Sequence, residues 1–346
     1  MRAGLGEVDC SYHDYPYRVL FPGRYEEVAL ARMIFAVVWD LLTHRGDPVV
    51  LPGYDRVEYW VMLGVCMAAR RKRLVFVDST AYDRPKTRWK ELAKRLFFAS
   101  CDGFLCYGVR SEEYLLSYGV PAAKIYPGCQ ATALPHDYTT AKVQSLYEPN
   151  ASAMLQVPRF IYVGRLAAEK GLHDLLEAFC IVRRHLATAR LDFVGAGPLR
   201  SALENHVNKL GLAESVALLG VRDINGFAPM LAGSLALVLP SYSEPWGYVV
   251  NESLSYGCPV VVSDRCGCAP ELVVDGVTGF TFATGNVEAM AAAMLATTQL
   301  SEDRSATATR CLKLMAKFTP ERAAERMLQG CKTVAGFVAR QKIAGG

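Results

Sequence analysis

Ser243-Glu244-Pro245-Trp246-Gly247-Tyr248-Val249-Val250-Asn251-Glu252 follows closely on an apolar run, Leu235-Ala236-Leu237-Val238-Leu239-Pro240. The run reads as a buried parallel strand. Pro245 and Gly247 break it into a loop, and residues from about Gly247 to Tyr256 read as a helix that Gly257 ends. At such a helix start, free backbone N–H groups and the helix dipole favour an anion, most often a phosphate. Glu244 falls in the loop and Glu252 about a turn and a half into the helix, so both can face one cleft. A carboxylate is a poor neighbour for phosphate but accepts from a pair of sugar or ribose hydroxyls with its two oxygens. The stretch reads as a diphosphate on a helix start between two polyol-gripping carboxylates. The plainer alternative is a pair of solvated glutamates.

A second strand-to-loop transition lies upstream, at Gly164-Arg165-Leu166-Ala167-Ala168-Glu169-Lys170-Gly171. Arg165 can fork onto phosphate oxygens and Lys170 offers a compact charge. Gly164 lets backbone approach a ligand, and Gly171 opens the next helix. The competing reading of these cations is a surface ion pair with a neighbour such as Glu169. Gly195-Ala196-Gly197 tempts a dinucleotide reading and hence a nicotinamide-dependent reductase. However, Arg200 stands where the third glycine belongs and Pro198 begins the helix, so a tight strand-to-helix turn serves as well.

These motifs in this order and spacing resemble the E-x7-E signature of retaining, GT-B-fold glycosyltransferases of the family 4 type (glycosyl transferases group 1), from roughly Phe160 to Met294. The resemblance implies an α/β fold with two Rossmann-like doubly wound domains facing across a cleft, the N-terminal one shortened. It implies transfer of a sugar from a nucleotide-diphospho donor (a UDP- or GDP-sugar) to a saccharide or lipid-linked acceptor, with retention of anomeric configuration. It assigns the diphosphate to Arg165 and Lys170, donor-sugar hydroxyls to Glu244 and the ribose diol to Glu252. Gly164 and the backbone N–H groups around Trp246, Gly247, Tyr248 and Val249 complete the donor site, and Arg165, Lys170 and Glu244 are the catalytic candidates. Trp246 reads equally as packing.

The leaving diphosphate gains negative charge, which metal or fixed cations must stabilise. The chain has no D-x-D pair, so the expectation is metal-independent transfer with no cofactor. Two departures from the family pattern stand out. Val77-Asp78-Ser79-Thr80 occupies the place of a family histidine, and no strand with a glycine-rich loop precedes Tyr17. Both favour the rival reading, a nucleotide-sugar-binding protein or partner subunit without turnover.

Alternating apolar runs and amphipathic stretches argue for βαβ units throughout. Expected domains are residues 1–145 on the acceptor side, a linker at 146–158, a donor domain at 159–320 and a C-terminal helix at 321–346. Early elements read as a strand at Tyr17–Phe21 and a helix at Glu26–His44. At 346 residues, half of them hydrophobic, two cores are the better expectation. A net charge of +4 is too small to imply nucleic acid. Eleven cysteines without a C-x-x-C pair fit idle thiols in a reducing cytoplasm. Within Arg70–Arg95, ten Lys or Arg face three acids. Trp89, Leu92, Ala93, Leu96 and Phe97 lie at helical spacing among them. The pattern reads as a helix packed on the sheet with a basic outer face, or as a peripheral contact with an anionic membrane surface.

Overall fold

The computed structural model describes residues 17–21, 25–44, 46, 48–82, 87–132, 134–147 and 157–336. Helix α1 (Leu30–Thr43) precedes a four-stranded parallel sheet of β1 (Val49–Leu51), β2 (Arg73–Val77), β3 (Gly103–Cys106) and β4 (Ile125–Tyr126), which lie side by side in chain order. Helices α2 (Val57–Ala68), α3 (Arg88–Ala99) and α4 (Val109–Ser117) connect them. Right-handed crossovers between neighbouring parallel strands place all three on one face. Val75, Val77 and Phe104 of the strands meet Leu63, Phe97, Phe98 and Leu115 of the helices there.

The second domain runs α5 (Thr140–Ser145), β5 (Arg159–Val163), α6 (Leu172–His185), β6 (Arg190–Val194), α7 (Arg200–Lys209), β7 (Val216–Leu218), α8 (Ile224–Ala232), β8 (Ala236–Leu239), α9 (Tyr248–Ser255), β9 (Val260–Ser263), α10 (Ala269–Leu272), β10 (Gly279–Phe282), α11 (Val287–Ser301) and α12 (Arg304–Met315). Its six strands are parallel in the order β10-β9-β8-β5-β6-β7. The chain starts in the middle at β5, winds outward to β7, then returns to β8 and winds the other way. The order therefore reverses between β5 and β8. Loops leaving the carboxyl ends of those two strands diverge and leave a crevice, the usual ligand position in such sheets. Those loops carry Gly164–Gly171 and Ser243–Gly247.

Helix α13 (Pro320–Ala335) is capped by Thr319 and crosses back to the first domain. Met327, Cys331 and Val334 pack on Leu74, Leu105 and Cys129, covering the sheet face that α2 to α4 leave open. A Cβ on Gly330 would lie 2.8 Å from Leu105, so only glycine lets the helix settle this closely.

The strand expected at Tyr17–Phe21 is absent, and Glu26–His44 resolves into a 3-10 turn at Tyr25–Glu27 followed by α1. Short apolar runs cannot hold a strand without a paired neighbour. No residue of α1 is buried. The expected boundary puts Val143 in the first domain and Tyr147 in the linker, but both pack with Ala232, Ala308 and Leu312 of the second domain. The phenols of Tyr138 and Tyr147 donate to the carbonyls of Ser255 and Tyr256, each at 2.7 Å. Most of the expected linker, residues 148–156, and the end of the C-terminal helix past Gly336 lie outside the described residues. The ten described cysteines are all thiols, eight of them buried. Burial pushes Cys101, Cys129 and Cys266 up to about 12, which keeps them protonated.

Candidate active site

Two glycines bring the crevice loops together. Gly171 opens α6 with φ 64°, and a Cβ there would lie 2.3 Å from the carbonyl oxygen of Pro240 at the end of β8. Only glycine permits both the left-handed backbone and this approach. The Tyr242 N–H then donates to the Glu169 carbonyl at 2.9 Å, and its phenol to Asp174 at 2.7 Å. The result sets Lys170 Nζ 2.5 Å from Glu244 Oε2, 74 residues away in sequence. Their side chains are 15% and 16% exposed, so the pair is largely withdrawn from solvent yet open to the cleft.

Arg165 lies on the same loop. It is more exposed and pairs with Glu169, so the competing surface-pair reading holds for its contacts in this structure. Burial pushes the Glu169 carboxyl up, but its own backbone N–H and Arg165 outweigh this and hold it below the usual range. The loop's path is set from behind. The Gly164 N–H donates to the Val194 carbonyl, and the Leu166 N–H to Ala196, each at 2.9 Å. The Tyr162 phenol, raised by burial and thus protonated, donates to the Arg165 carbonyl at 2.7 Å. Gly195 and Gly197 serve this docking: a Cβ on either would strike the carbonyl oxygen of Gly164 (1.9 Å) or Leu166 (2.2 Å). Their glycine character is explained by backbone packing, without a dinucleotide.

Gly247 starts α9 with φ 97°, turning the chain from the Glu244 loop into the helix. Glu244, Gly247, Tyr248, Val249 and Glu252 all line one cleft with Gly164, Arg165 and Lys170. Glu252 is buried at its wall. For the Trp246 side chain the structure favours the packing alternative. It is 2% exposed, its indole N–H donates to Asn251 Oδ1 at 2.7 Å, and it stacks edge-on against Tyr107 of the first domain. It is a packing residue that fixes the loop from below. Trp246→Phe removes the bond and strands the Asn251 amide, whose Nδ2 already lacks a partner among the described residues. A loss of about 1–3 kcal/mol in stability is expected, measured as a lower unfolding midpoint.

The cleft has a volume of about 1270 Å³ and reaches across to the first domain. Typical small-molecule sites span about 300–1,000 Å³, so there is room for more than one small molecule. Asp78, Ser79 and Thr80, standing where the family has its histidine, are in the opposite wall. Beside them is a group that reading the chain in order did not find. The Tyr54 phenol donates to Ser79 (2.7 Å) and meets Tyr114 (3.2 Å), while Lys94 Nζ donates to Tyr114 (2.9 Å) and Glu91 (3.2 Å). Burial alone would lower the Lys94 ammonium; Glu91 and the phenols more than offset that, so its charge is retained. Spacing of Tyr114 and Tyr118 by one helical turn was the available signal, but their partners come from three other segments.

The two walls are joined by direct contacts. Glu271 accepts from the Val109 N–H at 2.6 Å and so caps α4 from the other domain; Arg110 donates to the Asp264 carbonyl at 2.9 Å. Burial raises the Glu271 carboxyl.

Residues 151–310 match the family model described as glycosyl transferases group 1. A stretch of 134 residues is 34% identical to the glycogen synthase of Mycobacterium tuberculosis, covering 39% of this chain and 32% of that protein. Another of 134 residues is 37% identical to the sulfoquinovosyl transferase SQD2 of Arabidopsis thaliana, covering 38% of this chain and 24% of that protein. The chain thus matches a third or less of the length of these relatives. Among solved structures, Anabaena HepE in complex with UDP superposes with a TM-score of 0.70 at 16% identity, over 87% of this chain and 82% of that one. Two parallel-sheet domains about one cleft, with the order reversal beneath it, make this a GT-B-fold chain that matches the glycosyl transferases group 1 family over residues 151–310.

Proposed function

We propose that this protein transfers a sugar from a nucleoside-diphosphate donor to a saccharide or lipid-linked acceptor, with retention and without a metal. One observation carries the reading: Arg165, Lys170, Glu244 and the start of α9 share one cleft above the β5–β8 reversal. Donor binding exchanges partners within that group. Lys170 leaves Glu244 for a phosphate oxygen, Arg165 swings from Glu169 onto the diphosphate, and Glu244 accepts from sugar hydroxyls. Glu252 takes the ribose diol. The backbone N–H groups at the start of α9 face charge that grows as the glycosidic bond breaks, where fixed dipoles act most strongly. The acceptor hydroxyl approaches from the Ser79 and Tyr54 side and attacks on the face the diphosphate leaves, passing its proton to a donor phosphate oxygen.

A thermal-shift screen of UDP- and GDP-sugars, followed by a nucleoside-diphosphate release assay with EDTA present, tests this. The expected result is a raised unfolding midpoint with one donor class and EDTA-resistant release of its diphosphate. A raised midpoint with no release under any acceptor supports the rival, a nucleotide-sugar-binding subunit. No shift with any nucleotide rejects both.

A further inference from the structure

Helix α3 presents three distinct faces. Phe97 and Phe98 are buried against the sheet, and Lys90, Glu91 and Lys94 line the cleft. The third face carries Trp89, Leu92 and Leu96, at 80%, 51% and 59% exposure. If α3 were only a sheet-packing helix with a solvated basic face, its apolar stripe would point inward. Here the inward positions are already filled by the phenylalanines, and a second apolar stripe, spaced three and four residues, points out. Single exposed leucines are ordinary; a stripe of three led by a nearly bare tryptophan is a surface built for contact. Arg88 and Arg95 flank it, both exposed, and Arg88 forms no ion pair among the described residues.

We propose that α3 docks this protein on an anionic bilayer, with Trp89, Leu92 and Leu96 at the headgroup–acyl boundary and the two arginines on lipid phosphates. Tryptophan suits that boundary, where its ring is apolar and its N–H stays wet. Cations beside an apolar stripe match an anionic lipid surface. The helix has 12 residues, a length of about 18 Å. A stripe of three side chains is far smaller than the roughly 20–30 residues a side of a stable protein interface, which argues against a second copy. Among the described residues no helix is long and apolar enough to cross a membrane, so the bilayer is met at its surface. The inference rests on the transferase reading in one respect: because one helix both lines the cleft and touches lipid, the cleft opens beside the bilayer, and the acceptor belongs to the lipid-linked class.

The test is co-sedimentation of the full chain with vesicles of phosphatidylcholine alone or with one-third phosphatidylglycerol. Partitioning onto the anionic vesicles is expected to be at least roughly tenfold stronger. High salt and the triple variant Trp89→Ser/Leu92→Gln/Leu96→Gln are each expected to abolish it. None of the three residues lines the cleft, so the variant's midpoint shift with nucleotide must match the parent's. Vesicle binding and nucleotide binding are read separately, and either can fail alone. Should the variant not fold, brominated acyl chains must quench the parent's tryptophan fluorescence on anionic vesicles. Absent or lipid-independent partitioning, unchanged partitioning of the folded variant, no quenching, or a dimer in sedimentation velocity that the variant dissolves would each overturn the proposal.

Discussion

Lys170→Met is expected to slow nucleoside-diphosphate release by about 100- to 1000-fold, the usual loss when one fixed charge-stabilising group is removed from a developing anion. Methionine keeps much of the side chain's length and packing but not the ammonium. The same change removes the partner of Glu244, a side chain only 16% exposed. An uncompensated carboxylate in that position destabilises the fold, so the unfolding midpoint falls as well. The two consequences separate in the double variant Lys170→Met/Glu244→Gln. With no charge left unpaired, the midpoint returns toward the parent's, while release stays slow. Turnover within a few-fold of the parent in Lys170→Met would mean that the cation is only a structural partner of Glu244.

The second large effect lies behind the cleft. Gly195 has φ 144°, and a Cβ there would sit 1.9 Å from the Gly164 carbonyl oxygen. That atom belongs to the loop bearing Arg165, held from behind by the Gly164 N–H bond to Val194. Gly195→Ala must therefore push the two loops apart or strain them, at a cost of about 3 kcal/mol or more. For a domain of this size that lowers the unfolding midpoint by roughly 6–12 °C. Gly211→Ala is the comparison. It too has positive φ, 68°, but nothing lies within 4 Å of its Cβ position, so about 1 kcal/mol is expected. Equal midpoints for the two variants would show that close loop packing is not what Gly195 supplies.

What could be read from the residues in order, and what could not, follows from the range of the interactions. The strand–loop–helix around Glu244 was legible because its signals are local: an apolar run, then Pro245 and Gly247, then a helix-length stretch ending at Gly257. The order reversal between β5 and β8 was not, yet it is what turns two separate loops into one crevice. Trp246 illustrates the limit at the level of a single side chain. An aromatic in such a loop reads equally as a contact residue or as packing; its direction is set by Asn251 and Tyr107, the latter from the other domain. Helix α3 was legible as basic and amphipathic; which apolar residues face inward depended on Phe97 and Phe98 meeting Tyr54 and Trp60 of other segments. The wall formed by Tyr54, Lys94 and Tyr114 joins three elements and left no contiguous motif. Gly195 and Gly197 carried a true signal, a demand for close approach, but the approaching group is another loop of the same chain.

The proposed chemistry needs a nucleoside diphosphate between Arg165, Lys170 and the first turn of α9. The most direct measurement is a structure with the nucleoside diphosphate that raises the unfolding midpoint. The expected result is Lys170 Nζ within hydrogen-bond distance of a phosphate oxygen, its bond to Glu244 exchanged, and Arg165 turned from Glu169 to the same diphosphate. A bound nucleotide elsewhere, with the Lys170–Glu244 and Arg165–Glu169 pairs intact, would contradict it.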